Sequence, residues 1–232
     1  MADALARFAA RLIPGLLVFG VLSCSSPNEV TVLQNSYTDE EIAWFTEIAL
    51  EIEYGSANFI KKWQKDVRIK VEGNPTPADL ETLSQVIDEL SNLIRPIKIF
   101  RVDTEPAITL YLVPRAEFKS YLPQYIEGND GFFYVYWNGK KELSSGTILV
   151  TSENRITQLE RSHLIREELT QALGLMNDSL KYPKSIFYKG WTDVQEFTAL
   201  DRSIIKMLYL PEVKAGMKKE DVVPLFSASV KS

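Results

Sequence analysis

The sequence predicts an α+β fold in which a mixed sheet carries packed helices. Three observations predict it. Hydrophobic residues switch between helical and alternating periods from residue 38 onwards. The pair Asn138-Gly139, which follows an aromatic run, indicates an antiparallel hairpin. A helical pattern over residues 157–174 follows the last strand and ends at a glycine. Strands and helices mixed in this order favour a sheet covered by helices.

The first two elements have clear signals. A helix over residues 38–55 opens on a capping box of Thr38 with Glu41, and Gly55 ends it. Residues 63–73 then alternate between apolar and polar side chains, which predicts a strand.

The second helix has the strongest boundaries in the chain. Its range is 74–96, with Thr76 as N-cap, Pro77 at the first helical position, Asp79 two residues later and Pro96 as the stop. An apolar stripe at helical spacing predicts that one face packs on the sheet.

Four further strands are predicted to complete the sheet, and a helix follows them. Residues 97–102 and 107–113 read as strands, 132–141 as a strand entering the Asn-Gly turn, and 146–152 as the final strand. The helix at 157–174 follows.

The N-terminus resembles a bacterial lipoprotein signal. Arg7 and Arg11 precede an apolar run over residues 12–22, which is too short to span a bilayer and fits a secretory signal. The run leads into "VLSC", which is similar to a lipobox and makes Cys24, the one cysteine, the lipid attachment site. The alternative is a signal anchor with an incidental or buried thiol. In bacteria with two membranes, the resemblance to lipoproteins implies the periplasmic face of the outer membrane, because Ser25 rather than Asp follows the cysteine.

These features divide the chain and limit its partners. We expect a signal peptide at 1–23, a lipidated cysteine and tether at 24–37, a domain at 38–221 and a tail at 222–232. The formal net charge is −5, and cleavage would remove two arginines and one aspartate. A mildly acidic domain of this kind argues against nucleic acid as a partner. The expected membrane contact is the lipid at Cys24.

The stretch "EELTQALGLMND", residues 167–178, places polar residues around a helix end. Glu167 and Gln171 are four apart and share a helix face, and Glu168 lies one step round. Gly174 can adopt a positive φ and end the helix. The chain can then present Asn177 near the first two side chains.

This layout resembles the metzincin branch of the zincin metallopeptidases, whose motif is H-E-x-x-H-x-x-G-x-x-H, followed by Asp in many members. The catalytic Glu of that motif falls on Glu168, the Gly on Gly174 and the Asp on Asp178. All three zinc-binding histidines are replaced. The replacements are Glu167, Gln171 and Asn177.

The resemblance extends over most of residues 40–217. Residues 182–188 stand where metzincins have the Met-turn, with Phe187 at the methionine position, and Tyr188 follows it. Residues 197–209 look like the C-terminal metzincin helix. The whole is similar to a family of secreted bacterial proteins of unassigned function with this altered motif. The resemblance implies a zincin-like fold with a small helical C-terminal lobe, and a cleft that Phe187 and Tyr188 line.

The replacements change the expected chemistry. A catalytic zinc site uses three good ligands, usually nitrogens or a carboxylate, plus a water. Glu167 with the amides of Gln171 and Asn177 suits a hard cation better than zinc, and should bind it weakly. Without a Lewis-acidic metal, Glu168 has little water to activate. We therefore expect no cofactor, unless the altered site binds zinc or another divalent cation.

Other interpretations of these residues stay open. Glu167 and Glu168 could perform metal-free acid/base chemistry, although adjacent helix residues diverge by about 100°. His163 could be a displaced ligand paired with Glu167, or a histidine making one hydrogen bond between lobes. Glu160 could coordinate or form a salt bridge, and Tyr188 could be core or cleft.

The aromatic strand "FFYVYW", residues 132–137, is a candidate binding edge. An exposed edge strand can pair with an extended peptide. Alternatively, one aromatic face is core and the other is covered by the hairpin.

Three functions follow from the sequence. The first is a lipid-anchored envelope protein whose degenerate cleft binds a peptide, a protein or an envelope component without catalysis. The second is an active hydrolase with Glu168 as general base. The third is a structural lipoprotein whose cleft has no ligand.

Overall fold

Threonine residues begin four of the helices. Thr38, Thr76, Thr157 and Thr198 each accept from the backbone N–H three residues on, and an acidic side chain at that position bonds back to the threonine backbone. These capping boxes satisfy N–H groups that a helix start leaves without partners. The helices are Asp39–Leu50 (α1), Pro77–Leu93 (α2), Phe118–Tyr121 (α3), Gln158–Ala172 (α4), Ala199–Leu208 (α5) and Lys219–Phe226 (α6).

The computed structural model describes residues 37–52 and 57–227. The predictions at Cys24 and at Gly55 fall outside these residues. Within the described ranges, no helix has the length and apolar character needed to cross a bilayer.

Six strands form one mixed sheet: Lys62–Trp63 (β1), Val67–Gly73 (β2), Ile99–Arg101 (β3), Ile108–Val113 (β4), Gly131–Trp137 (β5) and Glu142–Thr151 (β6). Strand β6 has β4 on one edge and antiparallel β5 on the other, and the short β1 continues the β4 edge. All pairs except β5 with β6 are parallel. The predicted combination of helices and a mixed sheet is present, with the sheet mostly parallel.

The main core lies on the face of the sheet that α2 and α4 cover. Ile148 and Val150 of β6 point into it, as does Val135 of β5. Side chains alternate along a strand, so Leu149 and Phe132 point to the other face, where they pack in a second cluster with the chain after β4. One aromatic face of β5 is thus partly covered by residues 113–125 rather than by its own hairpin.

The outer edge of β5 has no strand partner among the described residues. The N–H of Thr151 donates to the carbonyl of Asp130 at 2.9 Å, which makes these two a hydrogen-bonded pair of the antiparallel ladder. Pairs alternate along such a ladder. The N–H and C=O groups of Phe132 and Tyr134 therefore face β6, and those of Phe133 and Val135 face the free edge.

The turns follow their sequence signals with local differences. The Asn138-Gly139 hairpin is present, but its loop spans residues 138–141 with Lys141 at φ 64°. Helix α1 ends at Leu50, earlier than predicted. Gly174 has φ 120°, and an added Cβ there would collide with the carbonyl oxygen of Lys61, so both conformation and space require glycine.

The domain continues past the predicted boundary at residue 221. Helix α6 runs over Lys219–Phe226 and buries Val222, Leu225 and Phe226. The Phe226 ring packs edge-to-face on Phe45 of α1 at 5.5 Å. The predicted tail from residue 222 is therefore wrong for residues 222–226, because these apolar side chains complete the core around α1.

Candidate functional site

A cavity of about 490 Å³ opens between β5, α4 and the chain that follows α4. Its walls are residues 131–135 with Trp137 on the β5 side, side chains of α4, and residues 188–192 opposite. The free edge of β5 therefore runs along the cavity. Among the described residues, the acidic and basic side chains that line it are Asp130, His163, Glu167, Glu168, Asp178 and Lys189.

Glu168 reaches the start of β5. Its side chain is buried, and the residue is 6% exposed. One of its carboxylate oxygens occupies the space that a Cβ on Gly131 would need, and Leu164 lies beside it. The glycine at the start of β5 thus leaves the room in which the Glu168 carboxylate sits.

Gln171 and Asp178 are joined across the glycine turn. The Gln171 amide, one helical turn after Glu167, donates a hydrogen bond to the Asp178 carboxylate. Because α4 ends at Ala172 and Gly174 reverses the chain, the two side chains meet at the cavity wall.

Glu167 is paired with His163 on the same helix face. His163 Nε2 lies 3.4 Å from a Glu167 carboxylate oxygen, and Nδ1 lies 2.8 Å from the carbonyl oxygen of Val194. Burial of the ring opposes its charged form, but the hydrogen bond and charge of Glu167 outweigh burial and raise the pKa of His163 above 6.5. His163 therefore links a cavity carboxylate to the chain after α4.

The opposite wall is fastened to α4 at further points. The Trp191 indole N–H donates to the Glu160 carboxylate at 2.7 Å, and the Gln195 amide donates to the carbonyl of Leu159 at 2.8 Å. Glu160 is also the acidic partner of the α4 capping box. The hydrogen bonds that Glu160 accepts from Thr157 and Trp191 lower its pKa, and the bond from the Thr157 backbone N–H does so most strongly.

Asn177 does not line the cavity, although it was predicted to be a metal ligand together with Glu167 and Gln171. Its amide donates to the carbonyl of Glu47 at 3.2 Å and approaches the Glu51 carboxylate at 3.4 Å, while its own N–H donates to the carbonyl of Ile48. The last carbonyls of a helix lack partners within it. Asn177 supplies donors to the end of α1 and, unlike Glu167 and Gln171, does not line the cavity.

Phe187 does not line the cleft either, contrary to the prediction. It is fully buried in the main core. The turn that carries it is anchored to α5, because Asp201 of that helix accepts hydrogen bonds from the Ser185 hydroxyl at 2.5 Å and from the N–H of Ile186 at 3.2 Å. Tyr188, the next residue, lines the cavity.

Comparison with known proteins places the chain in a family. A profile for the family described as "Protein of unknown function (DUF2927)" matches residues 39–228, most of the chain. The chain belongs to the DUF2927 family. No functionally curated protein sequence matches it.

Two solved structures of myroilysin are similar to this DUF2927 protein. Both have 15% sequence identity and a TM-score of 0.43. The similarity to the first structure spans 65% of this chain and 82% of the myroilysin chain. The similarity to the second spans 75% of this chain and 97% of the myroilysin chain. Similarity at this level does not transfer an activity.

The residues of the DUF2927 cavity do not fit a zinc centre. Across residues 37–52 and 57–227, no three or more His, Cys, Asp or Glu side chains are grouped to hold a metal ion. Of the three predicted ligands, Gln171 is committed to Asp178 and Asn177 to α1. That leaves Glu167, which is paired with His163. The donors that remain are too few and too oxygen-rich for zinc.

Sequence reasoning missed part of this DUF2927 site. Gly131 and Trp191 were not among the predicted site residues, although each lines the cavity. Gly131 had a signal, since a glycine that opens an aromatic strand indicates a close approach. Trp191 had none, because its place depends on how residues 188–195 fold back on α4.

Proposed function

We propose that this protein is a lipid-anchored component of the bacterial envelope whose zincin-like domain binds an extended peptide segment without cleaving it. The observation that carries the proposal is the free edge of β5 along the cavity. An unpaired strand edge offers backbone donors and acceptors to a second chain, and a neighbouring pocket can select its side chains.

The edge is built to add one strand. Phe133 and Val135 turn their backbone groups outward, while their side chains point towards α4. A bound strand would therefore place alternate side chains over the same cavity. Trp137 is 38% exposed and Trp191 60% exposed, and exposed aromatic side chains at a cleft are typical of binding sites.

The alternative of a metal-dependent hydrolase has less support. Asn177 caps α1 and Gln171 bonds to Asp178, so the ligand set that it requires is not assembled. Anchorage at Cys24 and location on the periplasmic face of the outer membrane belong to the proposal on the strength of the signal sequence alone.

The test is a selection of random heptapeptides displayed on phage against the purified protein, followed by fluorescence anisotropy with the enriched peptides. Two variants of one residue provide the control. Phe133→Ala removes the ring and keeps the outward N–H, whereas Phe133→Pro also removes that N–H. Circular dichroism and urea unfolding check that both variants fold.

We expect enriched peptides to bind the wild type and Phe133→Ala, to lose binding to Phe133→Pro, and to be recovered uncleaved. Failure to enrich any peptide, or equal binding by the two variants, would contradict the use of the β5 edge. Cleavage of the bound peptide would overturn the non-catalytic part of the proposal.

A further inference from the structure

We infer that a group of lysines beside the hairpin between β5 and β6 lies against the anionic phospholipid surface of the membrane that holds the chain. This lysine patch consists of Lys140, Lys141, Lys214 and Lys218. The inference goes beyond peptide binding and rests on the anchorage at Cys24 that the proposed function includes. The convergence of the lysines, the aromatic side chains beside them and the length of the tether carry it.

The lysine patch is made by two segments that are far apart in the sequence. Lys140 and Lys141 belong to the hairpin loop, and Lys214 and Lys218 flank the turn that leads into α6. The segments touch at Gly216, where an added Cβ would lie 3.6 Å from Lys141 Cγ and 3.8 Å from the carbonyl oxygen of Lys140. The fold therefore gathers on one surface four lysines, of which Lys141 is half-buried and the others are exposed.

The charge of the lysine patch is not paired within the protein. Across residues 37–52 and 57–227, the lysines in ion pairs are Lys70 and Lys119, and neither belongs to the patch. Two carboxylates of the same segments make other bonds. Glu142 accepts from a side-chain amide of the hairpin loop at 2.8 Å, and Asp221 accepts from the backbone N–H of Lys218 at 2.9 Å.

Other charged groups near the lysine patch offset one another. Burial lowers the pKa of Lys62, and the charge of Glu212 opposes that shift, so these two lie close together. Lys219 lines the groove between α6 and α1 together with Glu47 and Glu220. The lysine patch is thus a local excess of positive charge on a chain whose formal net charge is −5. Such an asymmetry favours an anionic surface as the partner.

Aromatic side chains adjoin the lysine patch and favour a membrane over other anionic surfaces. Lys141 Nζ lies 4.8 Å from the centre of the Phe59 ring, and Nζ of the buried Lys61 lies 5.2 Å from it. Phe59 packs edge-to-face on Trp137 at 5.9 Å, and Trp137 is 38% exposed. Tryptophan beside lysine is typical of the boundary between water and lipid, where the indole sits at the level of the headgroups.

The length of the chain before α1 allows the lipid to lie beneath the lysine patch. Cys24 comes 13 residues before Tyr37, whose ring packs on Phe226 at the C-terminal end of α6. Lys218 is the N-cap of the same helix, whose 8 residues span about 12 Å. An extended chain of that tether's length reaches at most about 45 Å. The domain can therefore turn the lysine patch to the membrane that holds its N-terminus.

The lipid and the lysine patch would act together. One acyl chain holds a protein at a membrane only reversibly, and a basic patch is a common second signal. Each lysine close to an anionic surface strengthens attachment by about fivefold. The patch would also fix which face of the domain meets the membrane, which a lipid on a tether cannot do.

The test measures which face of the domain meets the membrane. The full chain, as the host cell processes it, is reconstituted in vesicles, and mass spectrometry reports the lipid at Cys24, which blocks the one native cysteine. A fluorophore is then attached at Ala215→Cys, inside the patch, or at Ser91→Cys on the exposed face of α2. The vesicles contain phosphatidylcholine alone or with phosphatidylglycerol, and a lipid whose nitroxide headgroup quenches fluorescence.

We expect the label at residue 215 to be quenched about threefold more in phosphatidylglycerol vesicles than in phosphatidylcholine vesicles, and the difference to vanish at about 0.5 M NaCl. The label at residue 91 should be quenched little in both. Lys140→Glu with Lys214→Glu should abolish the lipid preference, whereas the same charge change at Lys70 and Lys119 should keep it. Circular dichroism checks that the variants fold, and the comparison of lipids and salt needs no charge variant.

Equal quenching of the two labels, or of the label at residue 215 in the two kinds of vesicle, would overturn the inference and leave the anchorage and the peptide binding standing. Displacement of that label from the vesicles by a short DNA duplex would also overturn it, in favour of a nucleic acid. If Cys24 carries no lipid, the anchorage fails and the inference fails with it.

Discussion

The side-chain amide of Gln171 donates a hydrogen bond to the carboxylate of Asp178, seven residues later and across the turn at Gly174. In the metzincin motif, which this stretch resembles, these two positions carry the second zinc-binding histidine and the aspartate. Here the two side chains bind each other, which closes off one of the positions where a metal ligand would be needed.

This bond predicts the effect of Gln171→Glu. The change would bring two carboxylates together at a mostly buried site, where one of them must take up a proton. We expect a loss of about 1–3 kcal/mol in the free energy of unfolding at pH 7, with much of it regained at pH 4.5. Urea unfolding at the two pH values measures it. Gln64→Glu, at an exposed turn residue, should change little at either pH. An equal loss at both pH values would contradict the carboxylate contact.

The close packing of Glu168 against Gly131 predicts that Gly131→Ala is disruptive. The added methyl group would collide with the Glu168 carboxylate and with Leu164. We expect a loss of about 1–3 kcal/mol in the free energy of unfolding, which is the usual cost of overpacking. Gly139→Ala in the hairpin loop is the control, since its methyl group would meet nothing within 4 Å. Similar losses for the two variants would show that the helix and strand are not in contact at this point.

The link between His163 and Glu167 predicts a pH dependence. The pKa of His163 is raised in the folded protein, so the folded state holds the proton more tightly than the unfolded state does. Its contribution to stability is complete below pH 6.5, the ordinary pKa, and is lost as the pH rises through the higher folded pKa. Wild type should therefore lose stability relative to His163→Gln as the pH rises through this window. Urea unfolding from pH 6 to pH 8.5 measures the difference. A constant difference across that range would show that folding leaves the pKa of His163 unchanged, and would contradict the link to Glu167.

The anchoring of the turn at 182–188 predicts the effect of Asp201→Asn. The buried carboxylate accepts from the Ser185 hydroxyl and from the backbone N–H groups of Ile186 and Thr198. An amide group would turn one acceptor into a donor and leave a buried N–H without a partner. Each such unsatisfied group lowers the free energy of unfolding by about 1–3 kcal/mol. We expect a clear drop in melting temperature, measured by calorimetry. The melting temperature of Asp88→Asn, on the exposed face of α2, should stay near that of the wild type. A melting temperature close to wild type for Asp201→Asn would contradict the anchoring.

Local signals predicted much of the fold. Capping boxes at Thr38, Thr76 and Thr157 depend on residues three apart, so the sequence alone reveals where those helices begin. Gly174 was predictable as the end of a helix because glycine readily adopts a positive φ, whereas its close approach to Lys61 shows only in the structure. The presence of a hairpin after β5 follows from the Asn-Gly pair.

Features that depend on distant partners could not be predicted. Asn177 was expected to turn towards Glu167, but the free carbonyls at the end of α1 hold it, and those lie some 130 residues earlier in the chain. Phe187 was expected in the cleft and is in the core. Helix α6 was taken for a tail, since a short helix with Pro224 inside it shows its role only by packing on Phe45.

The most direct test of the central claim is residue-specific amide hydrogen exchange along β5, measured by NMR in the free protein and with an enriched peptide bound. Phe132 and Tyr134 bond to β6 and should exchange slowly in both states. Phe133 and Val135 face the free edge, so they should exchange quickly in the free protein and slowly in the complex. Protection of all four amides in the free protein, or unchanged exchange at Phe133 and Val135 when peptide is bound, would contradict binding at the β5 edge.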